Sequence, residues 1–187
     1  MRKETGAHSA PVDSIPETQQ DGLVVRDLFK AYGREGVLRG VSFSLLPGSA
    51  LGICGSNGAG KTTLLHLLAS ILKPDAGTIT LFGIQAGRSR AYRQKIGFVP
   101  QEIALSPRLS VRQNLEFWAA ANGLKGKAKD AAVEEAIRLT NIAGFLDKRV
   151  SHCSGGMARR ANLAAGLVGR PSLILLDEPT AGIDEEN

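Results

Sequence analysis

The most informative stretch of this sequence runs from residue 55 to residue 62 and reads Gly55-Ser-Asn-Gly-Ala-Gly60-Lys61-Thr62. Its spacing is that of the G-x-x-x-x-G-K-[ST] loop, whose glycines let backbone N–H groups wrap around a phosphate chain. Apolar residues precede it at 50–54, and an apolar helical pattern follows at 61–72. We therefore predict a strand, a loop and a helix in that order, as the motif requires, and an α/β fold around them.

The residues of this loop predict how it would hold a phosphate chain. Lys61 can place a positive charge between the β- and γ-phosphates, and the Thr62 hydroxyl can ligate Mg²⁺. The helix that starts here adds the partial positive charge of its first N–H groups. The alternative, a glycine-rich turn that binds nothing, is disfavoured by the strand and helix predicted on either side. The predicted phosphate-binding set is Gly55, Ser56, Asn57, Gly58, Ala59, Gly60, Lys61 and Thr62.

A second motif consists of four apolar residues, 173–176, followed by Asp177 and Glu178. Such an apolar run predicts a strand covered on both faces in a parallel sheet. The two acids then stand at the carboxyl edge of the sheet, where α/β proteins bind ligands. An acid after an apolar strand is by itself only a solvated strand end. In a chain with a phosphate loop, Asp177 is expected to hold Mg²⁺ through water, and Glu178 to act as the general base.

The turn Ser154-Gly155-Gly156 opens a predicted helix and is a third candidate site. Its N–H groups, its hydroxyl and the helix dipole suit an anion. The same serine suits an N-cap equally well, and the sequence leaves both interpretations open. Arg159 and Arg160, one turn later, are expected on a solvated face of this helix.

The remaining pattern predicts strands that flank a helical block. Clustered or alternating apolar residues predict strands at 23–28, 41–45, 78–82 and 96–99. Helices are predicted at about 110–122, 128–142 and 155–169, the first opened by a capping box of Ser110 and Gln113. Residues 1–21 are polar and aperiodic, which predicts a disordered tail. The arrangement is that of an α/β core with an inserted helical lobe.

Composition excludes several classes of protein. Lys and Arg number 23 and Asp and Glu 18, so the net charge is +5, which suits an anionic partner without identifying one. No apolar run approaches the about 18 residues that span a bilayer, and the charged N-terminus is unlike a secretory signal. Cys54 and Cys153 are too few for a disulfide framework, and we expect both to be reduced.

In this order, the motifs resemble those of the ATP-binding subunit of ABC transporters, over about residues 23–187. The phosphate loop of that family extends to Thr63. Ser154-Gly155-Gly156 matches its signature motif, with Cys153 and Met157 where Leu and Gln are commonest. Asp177 and Glu178 match its Walker B acids, and Ala181-Gly182-Ile183-Asp184 matches its D-loop. Gln101, as the Q-loop glutamine, and Tyr32, as the aromatic that stacks on adenine, stand out only through this resemblance.

The resemblance implies a P-loop NTPase core with a mostly parallel sheet, a small antiparallel β-subdomain and an inserted helical subdomain. It implies one ATP-binding domain at 22–187, with the helical subdomain at about 103–165. ATP and Mg²⁺ are the implied cofactors, with the metal held by Thr62, Gln101 and Asp177 and the catalytic set formed by Glu178, Lys61 and Gln101. Two such subunits would bind two ATP molecules head to tail, each ATP capped by the Ser154-Gly155-Gly156 turn of the partner subunit.

The implied function is an ATPase on the cytoplasmic face of a membrane that powers a transmembrane permease. The amino-acid sequence around Gln101, Ser110 and Ser154 most resembles that of the exporter branch that pairs with ABC-2 permeases. A soluble ABC-type ATPase acting on nucleic acid or ribosomes is the alternative, but little room for its usual insertions remains between Gln101 and Ser154, so no nucleic-acid partner is expected. A third hypothesis for the function is a nucleotide-binding module that does not hydrolyse ATP.

Two expectations concern particular regions of the chain. Phe117 and Trp118 lie in the helical lobe, where the family docks its permease, although packing in the core is the favoured role. The sequence stops three residues after Asp184, before the strand with the family's switch histidine. We therefore expect a fragment of a longer subunit, or else a short form that hydrolyses poorly, and little ATPase activity from residues 1–187 alone.

Overall fold

The computed structural model describes residues 22–87 and 89–178. The predicted tail at 1–21 and the D-loop match at 181–184 lie outside the described residues. The chain divides between Arg93 and Gln94 into two compact units, and each is described by itself.

The first unit is built on an antiparallel sheet of four strands in the order β2-β1-β3-β4. The strands are β1 (Leu23–Tyr32), β2 (Glu35–Leu45), β3 (Ala76–Leu81) and β4 (Ile84–Gln85). Three of the four strands predicted in this region, at 23–28, 41–45 and 78–82, are confirmed, and the antiparallel part of the predicted fold class with them. β1 and β2 are longer than predicted, because they continue toward each other into a hairpin in which Tyr32 pairs with Glu35.

Two helices supply apolar side chains to the core of this unit. They are α1 (Lys61–Leu68) and the short α2 (Arg90–Arg93). The largest buried ring belongs to Tyr92, whose hydroxyl donates to the Leu68 carbonyl at 2.8 Å. Burial raises the pKa of Tyr92. The other buried apolar residues of the unit are Leu23, Val25, Leu28, Leu38, Leu64, Leu65, Leu67, Leu68, Ala69, Ile79 and Leu81.

Two predictions for this unit are wrong. α1 ends at Leu68 rather than at residue 72, because Ser70 adopts a left-handed φ of 55° and the chain reverses. The N–H groups of Ile71 and Leu72 then both bond to the His66 carbonyl. The residues predicted as a strand at 50–54 form no regular element and pair with no described strand, and a strand exists only where a neighbour supplies its hydrogen bonds.

The second unit combines a parallel pair of strands with three helices. Its elements are β5 (Ile96–Val99), α3 (Val111–Ala121), α4 (Gly126–Thr140), α5 (Gly155–Leu167) and β6 (Leu173–Leu176), with 3₁₀ turns at Ala143–Phe145 and Val150–His152. β5 and β6 pair in parallel, with Ile96 opposite Leu173 and Val99 opposite Leu176. The parallel pairing and all three helices of this region were predicted and are confirmed.

The helices α3, α4 and α5 form the helical lobe around one apolar cluster. The capping box that opens α3 is present: Ser110 Oγ accepts from the Gln113 N–H at 3.2 Å, and Gln113 Oε1 accepts from the Ser110 N–H at 2.9 Å. The fully enclosed members of the cluster are Val111, Leu115, Ala119, Ile142, Ala161, Ala164 and Val168. Trp118 packs against this cluster as the favoured reading predicted, whereas Phe117 is exposed.

α5 covers one face of the parallel pair at very short range. A Cβ on Gly97 would lie 2.3 Å from the Gly166 carbonyl oxygen, so the strand approaches the helix only because it has no side chain there. Ile174 and Leu176 pair with Gly97 and Val99 and so lie on this same face, but they are 43% and 39% exposed. The predicted burial of β6 on both faces is therefore not observed, because α5 leaves the β6 side of this face uncovered among the described residues.

Asp75 forms two hydrogen bonds with the end of β1 in the first unit. Its carboxylate accepts from Lys30 Nζ at 2.7 Å and from the Ala31 N–H at 2.8 Å. The bond from Lys30, and then that from Ala31, holds the pKa of Asp75 below its ordinary value. A lowered carboxyl pKa stabilises the fold above the unfolded value and loses that contribution as pH falls through the folded value.

Replacing Asp75 with asparagine is expected to lower the stability of the first unit at neutral pH and to leave little difference well below about pH 4. Urea unfolding of both proteins across that range measures the difference. Glu35→Gln is the control, because it removes a carboxylate from the hairpin that Asp75 contacts. A difference between Asp75→Asn and wild type that stays constant with pH would contradict the assignment.

Candidate functional site

The predicted phosphate loop has the backbone of an anion-binding turn. Gly58 and Gly60 hold φ values of 82° and 90°, and the Ala59 N–H donates to the Ser56 carbonyl at 3.1 Å. α1 begins directly after Gly60 and carries no acidic residue in its first turn. Its first N–H groups therefore present a partial positive charge that no carboxylate of that turn neutralises.

Gly60 is required here for two independent reasons. Its left-handed φ is costly for any residue with a side chain. A Cβ at this position would also lie 2.8 Å from Val37 Cγ1. Strand β2 thus packs directly against the loop, which fixes where α1 begins.

Lys61 reaches back over the loop that precedes it. Its Nζ donates to the carbonyl oxygens of Gly55 at 2.9 Å and Ser56 at 3.0 Å. The ammonium is therefore held at the same turn as the N–H groups of the loop. Positive charge and backbone donors together are the elements that hold a phosphate chain.

Tyr32 lies at the end of β1, on the hairpin whose second strand packs against Gly60. Its ring is 51% exposed, and Lys30 Nζ lies 5.9 Å from the ring centroid. An exposed ring can stack on a flat heterocycle, whereas a ring buried in the core cannot. The exposure is consistent with the predicted role, but no pattern in the sequence alone would have found this residue.

In the second unit, the parallel pairing brings Gln101 and Glu178 together. Each lies two residues beyond the end of its strand, β5 or β6, at the carboxyl edge. Gln101 Nε2 donates to Glu178 Oε2 at 2.8 Å. Glu178 is exposed and has a left-handed φ of 46°, a conformation that is strained for a residue with a side chain.

Asp177 is the buried member of the acidic pair. It is 6% exposed, and its N–H donates to the Val99 carbonyl at 3.0 Å, which continues the ladder between β5 and β6. The two acids therefore occupy different environments, one held at the sheet edge and one open to solvent. This difference fits the distinct roles predicted for them.

Ser154 is the N-cap of α5, as one of the two open interpretations proposed. Its Oγ accepts from the Met157 N–H at 3.3 Å. A hydroxyl that accepts one bond can still donate another, so capping does not prevent contact with an anion. Gly155 and Gly156 are exposed and have open space where a Cβ would be, and the first turn of α5 has no acidic residue.

Two polar residues of α5 were missed as site residues by the sequence analysis. Arg159 was expected on a solvated face, but its Nη1 donates to the Gln101 carbonyl at 2.7 Å. Asn162 is only 3% exposed and hydrogen-bonds the backbone just after β5. The available signal was an asparagine within the otherwise apolar Ala161–Val168 stripe, where a buried amide needs partners.

The donor set predicted for Mg²⁺ consists of oxygens, which are the ligands that this ion prefers. Thr62 belongs to the first unit, and Gln101 and Asp177 belong to the second. No group of three His, Cys, Asp or Glu side chains within 22–87 and 89–178 forms a metal cluster. A set with one carboxylate fits an ion that takes its other ligands from phosphates and water.

A family profile described as ABC transporter matches residues 38–181. The chain belongs to this family. The match includes the phosphate loop, Gln101, the Ser154 turn and both acids, and it confirms the resemblance on which the ATP-site expectations rest.

Relatives in the ABC family carry names that refer to export or resistance. The linearmycin resistance ATP-binding protein LnrL of Bacillus subtilis (strain 168) is 43% identical over 169 residues, which are 88% of this chain and 53% of that protein. The Nod factor export ATP-binding protein I of Burkholderia orbicola (strain AU 1054) is 41% identical over 162 residues, 86% of this chain and 53% of that protein. The chain thus spans about half the length of the curated relatives it matches.

Solved ABC structures confirm the predicted fold class. The cbiO1 protein of Clostridium perfringens, part of the ABC transporter complex cbiONQ, aligns with a TM-score of 0.76 and 33% identity over 87% of this chain and 67% of that one. The ATP-binding cassette MJ0796, in a dimeric post-hydrolysis state with ADP and Pi, aligns with a TM-score of 0.76 and 26% identity over 87% of this chain and 76% of that one.

The described helices are all too short or too polar to cross a membrane. Cys54 and Cys153 form no disulfide among the described residues.

Proposed function

We propose that this chain is the ATP-binding part of a transporter subunit that hydrolyses ATP to power a membrane exporter. The observation that carries the proposal is the Gly55–Thr63 loop, with two left-handed glycines, a helix start free of acids and the Lys61 ammonium held over the turn. These groups are suited to the triphosphate of a nucleotide. Tyr32 offers an exposed ring for the adenine base.

In the proposed reaction, Glu178 accepts a proton from the water that attacks the γ-phosphorus, while the bond to the β–γ bridging oxygen breaks. The bond from Gln101 Nε2 orients the carboxylate for this task. Lys61 and the loop N–H groups stabilise the negative charge that spreads over the phosphate oxygens. Thr62, Asp177 and Gln101 would hold Mg²⁺, which neutralises phosphate charge when it is bound.

We propose that the Ser154-Gly155-Gly156 turn acts on the nucleotide of a second ATP-binding subunit, in a head-to-tail dimer that closes on ATP. The start of α5 supports this role, because its exposed glycines leave N–H donors and a partial positive charge accessible. The dimeric state of MJ0796 supports the proposal that two such subunits pair. Opening after hydrolysis would return the transporter to its first state.

The partner in the membrane is proposed to be a separate permease, with this subunit on its cytoplasmic face. Export is supported by the names of LnrL and of the Nod factor protein. The cbiONQ complex supports a shared assembly with other components. Phe117, 58% exposed on α3, is the apolar side chain of the helical lobe that we propose for docking.

Titration of the folded chain with ATP in a calorimeter tests the proposed function. We expect saturable uptake that needs Mg²⁺, because the metal screens the triphosphate charge and links it to Thr62. The same titration with EDTA in place of the metal is the control. A folded sample that takes up no ATP in the presence of Mg²⁺ would overturn the proposal.

A further inference from the structure

The segment 100–104, which follows β5 and contains Gln101, is held by side chains of α5. Asn162 Oδ1 accepts from the Ala104 N–H at 3.0 Å, and its Nδ2 lies 3.3 Å from the Pro100 carbonyl and 3.5 Å from that of Glu102. Arg159 Nη1 donates to the Gln101 carbonyl at 2.7 Å. Four backbone groups of five consecutive residues therefore depend on two side chains of one helix.

These contacts are too specific to be incidental packing. The Asn162 side chain is almost fully buried, and both ends of its amide are used, so loss of the segment would leave buried polar groups unpaired. The bond from Arg159 is charge-assisted and short, which makes it one of the stronger kinds of hydrogen bond. Together they restrict the path of a stretch that forms neither helix nor strand.

The position of this backbone decides where the Gln101 amide lies. Gln101 Nε2 reaches Glu178 Oε2 at 2.8 Å, and that bond aligns only while the Gln101 backbone stays in place. The helix that supplies Arg159 and Asn162 begins at the Ser154 cap. A continuous path of hydrogen bonds thus joins the body of α5 to the carboxylate of Glu178.

We propose that Arg159 and Asn162 are positioning residues that set Gln101 against Glu178 and so couple the α5 helix to the hydrolytic step. This inference rests on the proposed ATPase function. Neither side chain is required to touch the nucleotide. Their effect on hydrolysis is exerted through Gln101 alone.

The first test measures the held segment itself and needs no nucleotide. In the 1–187 chain, Asn162→Leu removes the acceptor of the Ala104 N–H while it keeps a similar volume. Amide hydrogen exchange at Ala104, followed by NMR, is expected to quicken at least about tenfold. Exchange at Leu115, in the core of the lobe, is the internal reference: an equal acceleration at both amides would show general unfolding and overturn the local role.

The second test uses Arg159→Met in the full-length subunit, because this side chain is only half-buried and its replacement is expected to leave the fold intact. We expect ATP hydrolysis to fall between about tenfold and about a hundredfold, with ATP affinity unchanged, as for a misplaced catalytic group. Arg160→Met is the matched control. It removes the same charge from the same helix, but its Nη1 donates to the Asn141 carbonyl instead.

A double-mutant cycle separates positioning from a merely structural role. In a Gln101→Ala background, Arg159→Met is expected to have no further effect on hydrolysis, because the group it positions is gone. If Arg159→Met lowers hydrolysis by the same factor in the Gln101→Ala background as in the wild type, the proposal is overturned. A wild-type rate of hydrolysis for Arg159→Met alone would also overturn it. Failure of wild-type ATP uptake would instead refute the proposed function, and Ala104 exchange would still decide whether α5 holds the segment.

Discussion

Replacing Glu178 with glutamine is expected to slow ATP hydrolysis by about a hundredfold or more, the usual contribution of a general base. The amide has nearly the same shape and can still accept the bond from Gln101, but it cannot take a proton from water. ATP affinity is expected to persist, because the phosphate-binding groups are untouched. Phosphate release by the full-length subunit and nucleotide titration measure the two effects.

Glu102→Gln is the matched control for this change. It makes the same substitution at an exposed glutamate of the neighbouring segment, one residue from Gln101. Hydrolysis near the wild-type rate is expected for this control. A Glu178→Gln variant that hydrolyses ATP as fast as wild type would show that another group is the base.

Replacing Lys61 with alanine is expected to weaken ATP binding most among single changes in the loop. A hydrogen bond to a charged group contributes about 1.5–3 kcal/mol, which corresponds to a loss of about ten- to a hundredfold in affinity. The loss arises from the missing ammonium, since the loop N–H groups remain. Calorimetric titration of the 1–187 chain with ATP and Mg²⁺ measures it.

Two controls keep this result interpretable. Lys73→Ala removes an equal charge from an exposed lysine after α1 and is expected to bind ATP as wild type does. Thermal unfolding of Lys61→Ala shows whether loss of the bonds to Gly55 and Ser56 disturbs the fold. If a folded Lys61→Ala protein binds ATP with undiminished affinity, the account of the loop is wrong.

Predictions from the sequence were most reliable where the pattern was local. The capping box of Ser110 and Gln113, the three helices of the lobe and the β5 and β6 strands follow from short-range periodicity and capping chemistry. The same reasoning misjudged 50–54, where the apolar composition of a strand is present but no described strand supplies a ladder. It also placed the end of α1 too late, because a left-handed serine has no strong sequence signal.

The residues of the candidate site also differ in whether a local pattern predicts them. Lys61, Thr62, Asp177 and Glu178 could be named from motif spacing, since the chemistry of phosphate binding demands those residue types in that order. Tyr32 and Gln101 needed the resemblance to a family, because a single tyrosine or glutamine has no distinguishing pattern. Arg159 was assigned to solvent, since helical periodicity shows which face a residue occupies but not which loop crosses that face.

The sequence by itself therefore determined the family, the phosphate loop and the acidic pair, because these depend on residues that are neighbours along the chain. Only the tertiary structure decided that Gln101 meets Glu178 and that Arg159 and Asn162 hold the segment 100–104, which contains Gln101. Those contacts join residues about sixty or more positions apart, and such pairs are brought together by strand pairing and helix packing rather than by local pattern.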